Sequence, residues 1–172
     1  MKGELTELRV LIPEDKELEE KGYGKVSGKN IELGLVEAAY LLQKKKISIV
    51  SGKKKISFKD FLKYSEEKER NFHARYIVYS DLRERGFLVK TGLKFGCDFR
   101  VYDRGVKIKK GPKSAHEHTK WIVHAIPEEF SCSFPELSRA VRLAQNIRSE
   151  MIWALVDNEN DVTYFSIKRI TP

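Results

Sequence analysis

Residues 76–105 read YIVYSDLRERGFLVKTGLKFGCDFRVYDRG, and within them the hydrophobic period changes once. The first part continues a spacing that starts at Phe72 and runs through Tyr76, Tyr79 and Leu82, the apolar face of a helix. Gly86, directly after Arg83-Glu84-Arg85, supplies the residue types of a helix stop: a basic last turn, then a glycine. Past that point Phe87-Leu88-Val89-Lys90 and Asp98-Phe99-Arg100-Val101-Tyr102 are rich in aromatic and β-branched residues, which predicts strands. A helix that feeds a sheet is therefore the expected start of a folding unit.

Moving toward the C-terminus, Lys120-Trp121-Ile122-Val123-His124-Ala125-Ile126 is apolar enough for a buried strand at the centre of that sheet. Ser133-Phe134-Pro135-Glu136 then combines a capping serine, a first-turn proline and a glutamate three residues after the serine. Leu137, Ala140, Val141, Ala144 and Ile147 follow as an apolar stripe, so a helix is expected from about Pro135 to Arg148. Residues 151–157 and 162–170 read as two strands joined by the turn-forming Asn158-Glu159-Asn160-Asp161. The order is α-β-β-β-α-β-β.

Toward the N-terminus, Ser65-Glu66-Glu67-Lys68-Glu69-Arg70 offers nothing apolar to bury, and reads as a solvated helix or a join between domains. Upstream of it, Ser57 and Asp60 form a capping pair for a helix starting at Phe58. Residues 47–50 and 55–58 flank Ser51-Gly52-Lys53 as a hairpin, and Ile31 to Lys46 carries helical spacing that closes on three lysines. The expected architecture is α+β: two small mixed α/β domains, 1–70 and 71–172, with no internal repeat.

The 172 residues suit that division, and their composition is globular, with 41% hydrophobic and 34% charged residues. The sequence shows no apolar run near the roughly 20 residues that span a bilayer and no apolar leader, so the expectation is a soluble cytoplasmic protein with no membrane partner. The two cysteines, Cys97 and Cys132, are too few for a disulfide framework and form no CxxC pair. No P-loop, dinucleotide glycine fingerprint, HExxH or GxSxG is present in the sequence, which removes the usual support for nucleotide hydrolysis, redox work, zinc proteolysis and serine esterase chemistry.

A net charge of +8 favours polyanionic partners. Residues 1–70 carry 16 basic and 13 acidic groups, and residues 71–172 carry 17 and 12, so both halves contribute. In the second half Arg100, Arg104, Lys107, Lys109, Lys110 and Lys113 lie in sequence near Tyr102, His116 and His118. Such a run suits either a solvated basic loop or phosphate-attracting charge beside proton-transfer groups. RNA carries its own nucleophile, the 2′-hydroxyl. An enzyme need only deprotonate it, stabilise the crowded phosphate and protonate the leaving oxygen, and Tyr, His and Lys can do this with no cofactor and no metal.

Residues 76–105, together with Glu117-His118-Thr119, Ile126-Pro127-Glu128-Glu129 and the last strands, resemble the archaeal tRNA-splicing endonuclease family, and Ile31 to Leu42 resembles its amino-terminal domain. The resemblance implies a C-terminal domain with a nuclease-like, restriction-endonuclease-like sheet and flanking helices. It implies cleavage of precursor tRNA at bulge-helix-bulge junctions to a 2′,3′-cyclic phosphate and a 5′-hydroxyl, by homodimers or by homo- or heterotetramers of such subunits.

Carried over by position, Tyr102 in Val101-Tyr102-Asp103-Arg104-Gly105 matches the general base and His118 the general acid, with His116 a poorer match and His124 a structural histidine. Arg142 matches an arginine that packs on an extruded base, Arg148 is a second RNA-binding candidate, and Glu128 and Glu129 match an acidic loop that docks on a neighbouring subunit. One position departs from the family: its lysine is replaced by Ser149, which carries no charge, and Glu150 stands beside it. The missing charge could come from Arg148 or Lys120. Alternatively, the chain is a structural, RNA-binding subunit that works with a lysine-bearing partner, or a single exchange removed the lysine, against which the altered Gln145-Asn146 speaks. A metal-dependent nuclease using Asp98, Glu117 and Lys120 is a further alternative.

Overall fold

The structure is a computed structural model and describes residues 1–92, 96–106 and 118–172. The chain forms two compact units, Met1–Tyr76 and Ile77–Pro172. The first contains β1 (Lys2–Leu5), β2 (Arg9–Pro13), α1 (Lys16–Glu20), β3 (Lys25–Ser27), β4 (Asn30–Gly34), α2 (Leu35–Gln43), β5 (Ser48–Ser51), β6 (Lys54–Ile56) and α3 (Phe58–Lys68). Its strands make one sheet in the order β3-β4-β2-β1-β5-β6. Pairing is antiparallel except for β1 beside β5, which is parallel.

The helix expected over Ile31 to Lys46 is corrected here: its first residues are strand β4, and α2 begins only at Leu35. Ile31 and Leu33 alternate with Glu32 and are fully buried, because β4 lies between β2 and β3 and sends every second side chain into the core. The helix starts where Glu37 can cap it. The buried Glu37 carboxylate accepts from the backbone N–H of Gly34 and of Gly24, each at 2.9 Å, which satisfies a charge that would otherwise be costly to bury.

The expected hairpin forms as β5 and β6, closed at Ser51 and Lys54 around Gly52, whose φ of 58° is the left-handed value such tight turns require. Ser57 caps α3 through its side chain, which accepts from the Asp60 N–H at 3.1 Å. The helix runs to Lys68, so most of the charged 65–70 segment is helical; Ser65, buried inside it, donates to the Phe61 carbonyl at 2.8 Å.

In the second unit the order is the expected one. Helix α4 (Phe72–Glu84), in which the division between the units falls, leads into β7 (Leu88–Thr91), β8 (Phe99–Tyr102) and β9 (Trp121–Pro127). Then come α5 (Phe134–Asn146), β10 (Glu150–Val156) and β11 (Val162–Ile167). The sheet order is β11-β10-β9-β8-β7, which puts β9 at its centre, parallel to β10 and antiparallel to β8. α4 ends as its residues predict: the Gly86 N–H donates to the Arg83 carbonyl at 3.0 Å and the Phe87 N–H to the Leu82 carbonyl at 3.1 Å, with Gly86 at φ 84°.

The two helices cover opposite faces of this sheet. Tyr79 on α4 packs on Phe99 with ring centroids 5.6 Å apart, and Asp81 accepts from the Tyr164 hydroxyl at 2.6 Å. Burial, reinforced by that acceptor, holds the Tyr164 hydroxyl protonated well above the usual tyrosine range. On the other face Ala140, Leu143, Ala144 and Ile147 of α5 pack with Ile122, Met151, Trp153 and Ile167. α5 starts with the expected capping box, Ser133 and Glu136 each satisfying the other's backbone N–H. No described helix is long and apolar enough to cross a membrane.

The cysteines separate cleanly. Cys97 is buried and its thiol is pushed up to about 12, first by desolvation and then by Asp98, whereas Cys132 is exposed. The folded state therefore prefers the Cys97 thiol neutral. Its contribution to stability is complete below the ordinary value of 9.0 and is lost as pH rises toward 12. At pH 8 an alkylating reagent is expected to modify one thiol of the native chain and both after denaturation, as counted by intact mass. Two rapidly modified thiols in the native state would contradict this packing.

Candidate active site at one rim of the second sheet

Strand register brings the sequence-selected residues toward one end of the second sheet. Val101 pairs with Trp121, and Trp121 with Glu150, so the end of β8 and the starts of β9 and β10 share a rim. Tyr102 is the last residue of β8, His118 lies three residues before β9, and Ser149 immediately precedes β10. Backbone contacts tie these segments together: the Lys120 N–H donates to the Val101 carbonyl at 2.8 Å and the Glu150 N–H to the Lys120 carbonyl at 3.2 Å. Ser149 Oγ donates to the Thr119 carbonyl at 2.7 Å, which fastens the segment after His118 to the start of β10.

By strand alternation Tyr102 shares a face with Arg100 and with Ile122 and Met151, the face that α5 covers. Its side chain is buried, 2% exposed, while His118 is exposed. Glu150 belongs to the opposite face. There its carboxylate accepts from Ser166 Oγ at 2.6 Å and from Lys168 Nζ at 2.8 Å. The hydrogen bonds from Lys168 and Ser166 hold the Glu150 carboxyl below the usual carboxylate range. The charge that the sequence puts beside Ser149 is balanced by a lysine.

Beside Ser149 lies an open groove of about 480 Å³ whose wall includes Lys120, Arg148, Ser149, Glu150, Lys168 and Arg169. Lys120 Nζ is 2.6 Å from Asp103 Oδ1 and 4.9 Å from the centroid of the Trp121 ring, so its charge is held by a neighbour on β8's exit. Arg148 follows the last turn of α5 in a left-handed conformation, φ 55°. Its N–H donates to the Gln145 carbonyl at 3.0 Å and the Ser149 N–H to the Ala144 carbonyl at 2.9 Å, the same terminal pattern as at Gly86. Tyr102 and His118 do not line this groove.

The remaining candidates separate by position. Arg142 is exposed on α5, two helical turns before Ser149. Glu128 and Glu129 form the exposed turn after β9, at the opposite end of the sheet from Tyr102. His124 faces Asp98, Nδ1 to Oδ2 at 3.7 Å, and Asp98 also accepts from the Ala125 N–H at 2.9 Å, which is the structural role expected of this histidine. Asp98 therefore sits level with Ala125, five residues or roughly 17 Å along the strand from Lys120. The two do not assemble the acid-lysine pattern of a metal-dependent nuclease. His116, Glu117, Lys107, Lys109, Lys110 and Lys113 lie outside the described residues.

Sequence reasoning missed two members of this rim. Arg169 reaches the groove from the end of β11, and Asp103 holds Lys120; neither is visible without the strand register. Together the fold and the rim define a two-unit α+β protein whose second unit gathers a tyrosine, a histidine and several cations at one sheet end.

Residues 72–164 match the tRNA intron endonuclease catalytic C-terminal domain and residues 1–62 the N-terminal domain of the same family. The chain is 40% identical to a tRNA-splicing endonuclease of Thermococcus kodakarensis, over 85% of its own length and 82% of the relative's. It is 38% identical to the tRNA-splicing endonuclease of Thermococcus onnurineus, over 85% and 80% of the two chains, and 37% identical to that of Nanoarchaeum equitans, over 80% and 90%. The chain belongs to the tRNA intron endonuclease family.

Proposed function

We propose that the chain is a tRNA-splicing endonuclease subunit that excises introns from precursor tRNA by cutting at bulge-helix-bulge junctions. The observation that carries this reading is the register Val101–Trp121–Glu150, which draws Tyr102, His118 and the cationic groove of Ser149 toward one rim in a chain of this family. In the proposed step the Tyr102 phenolic oxygen takes the proton of the 2′-hydroxyl. The 2′-oxygen then attacks the adjacent phosphorus, and the bond to the 5′-oxygen breaks as His118 donates a proton to it. The products are a 2′,3′-cyclic phosphate and a 5′-hydroxyl. Every atom of the new bond comes from the RNA, so the step requires charge stabilisation and proton transfer but no oxidant and no water.

Assembly and RNA grip complete the proposal. Glu128 and Glu129 project from the end of the sheet opposite the chemistry, a position suited to docking on a basic surface of another subunit without blocking the rim. Edge strand β11 carries Phe165, half exposed at 50%, on a surface suited to a homodimer or to homo- or heterotetramers. Arg142 and Arg148 are the RNA-binding candidates, the first by stacking on a flipped base.

Ser149 favours a second reading, in which the chain is the structural, RNA-binding half of a hetero-oligomer whose partner supplies the lysine. Intron-containing precursor tRNA and the matching mature tRNA, offered at equal concentration to the chain alone and to the chain mixed with a lysine-bearing relative, test both. Selective cutting of the precursor by the chain alone supports the first reading. Cutting only in the mixture supports the second, and equal cutting of both RNAs would sink the splicing assignment.

A further inference from the structure

We infer that Arg148 and Arg169 together supply the positive charge that the absent lysine would give, as a two-arginine clamp on the scissile phosphate; this rests on the reading of the rim as an active site. Among the described residues four cations line the groove: Lys120, Arg148, Lys168 and Arg169. Two are committed, since Lys120 is held by Asp103 at 2.6 Å and Lys168 by Glu150 at 2.8 Å. Among the described residues, neither the Arg148 nor the Arg169 guanidinium has an ion-pair or hydrogen-bond partner. The groove's net positive charge is therefore carried by these two side chains.

Direction agrees with charge. Ile167 packs on the α5 face with Met151, and Arg169, just beyond β11, lines the groove together with Val141, Ala144 and Gln145 of α5, whereas Lys168 pairs with Glu150. Tyr102 also belongs to the α5 face. Arg148 occupies the left-handed position that ends α5, as Lys45 does after α2, and its side chain lines the groove directly beside Ser149. Ser149 fits the same design. A lysine at this position would compete for the groove, whereas the serine hydroxyl turns back to the Thr119 carbonyl at 2.7 Å and leaves the space open. Two planar guanidinium forks set around one phosphate can each donate two parallel hydrogen bonds, a geometry a single ammonium cannot reproduce.

The test uses single-turnover cleavage of a bulge-helix-bulge RNA by the full chain, with RNA affinity measured in parallel at fixed salt. Arg148→Asn, in which asparagine tolerates the left-handed backbone, and Arg169→Gln are each expected to slow cleavage about a hundredfold at saturating RNA, a loss that persists when weakened binding is made up by more RNA. The double variant is expected to lose about a thousandfold or more, and adding Ser149→Lys to it to restore the rate to within about tenfold of the parent chain. A double variant that cuts at the parent rate overturns the clamp. So does a parent chain that is inactive until Ser149→Lys is introduced alone, an outcome that leaves the splicing assignment standing. If no variant cuts, Ser149→Lys included, and none cuts when mixed with a lysine-bearing relative, both the clamp and the assignment fall. Unfolding midpoints of every variant within a few degrees of the parent keep a fold defect from imitating any of these results.

Discussion

Tyr102→Phe is expected to slow cleavage by a hundredfold or more while RNA binding stays within a few-fold of the parent. The substitution removes one oxygen from a ring that is 2% exposed, so the packing that sets the end of β8 is retained. What disappears is the only function assigned to that oxygen, acceptance of the 2′-hydroxyl proton, and general-base catalysis typically contributes about 10²- to 10⁴-fold. His118→Ala is the matching loss on the leaving-group side. An RNA whose 5′-bridging oxygen is replaced by sulfur separates the two roles, because a thiolate leaves without a proton. The His118→Ala defect should shrink on that substrate and the Tyr102→Phe defect should not. Equal defects on both substrates would reverse or abolish the assignment.

The largest expected loss of stability is at Phe99. Its side chain is 1% exposed and meets Tyr79 with ring centroids 5.6 Å apart, the contact through which α4 is fastened to the sheet. Tyr79 is in turn fully buried, its hydroxyl accepting from Arg83 Nε at 3.0 Å, and the same guanidinium donates to the Val89 carbonyl at 3.1 Å. Phe99→Ala leaves a cavity in this layer that neither a strand nor a capped helix can close. The cost is about 3–5 kcal/mol, read as a fall in unfolding midpoint on the order of 10 °C. Phe99→Leu should recover most of the loss. A midpoint shift under about 2 °C for the alanine variant would mean that the packed layer is not where it is described.

How far the sequence carried can be traced residue by residue. Helix ends were legible wherever a side chain or a glycine announced them: Ser57 and Ser133 as caps and Gly86 as a stop each stand where their chemistry requires. Strand β4 was not, because Ile31 and Leu33 at spacing two run directly into Leu35, Ala38 and Ala39 at helical spacing, and an apolar run has no internal sign of where the period changes. The change is set by Glu37, whose carboxylate caps the backbone thirteen residues away at Gly24 as well as at Gly34, a contact no local window contains.

The site divides the same way. Tyr102, His118 and Ser149 could be named from motif position, but what surrounds them depends on register. The pairing of β10 with β11 brings Ser166 and Lys168 to Glu150, so that Lys168 is committed and Arg169 is not. Lys120, an equal candidate in the sequence, is held by Asp103, a pairing across two strands that sequence separation conceals.

In the proposed reaction the RNA's own 2′-hydroxyl is the nucleophile and protein side chains alone move the protons. The measurement that tests this most directly is end-group analysis of a labelled bulge-helix-bulge RNA cut in EDTA, by the chain alone and by the chain with a lysine-bearing relative. The expected products are a 2′,3′-cyclic phosphate and a 5′-hydroxyl, formed at a rate unchanged by the chelator. A 3′-hydroxyl with a 5′-phosphate, or cutting that ceases in EDTA and returns with a divalent ion, would contradict it.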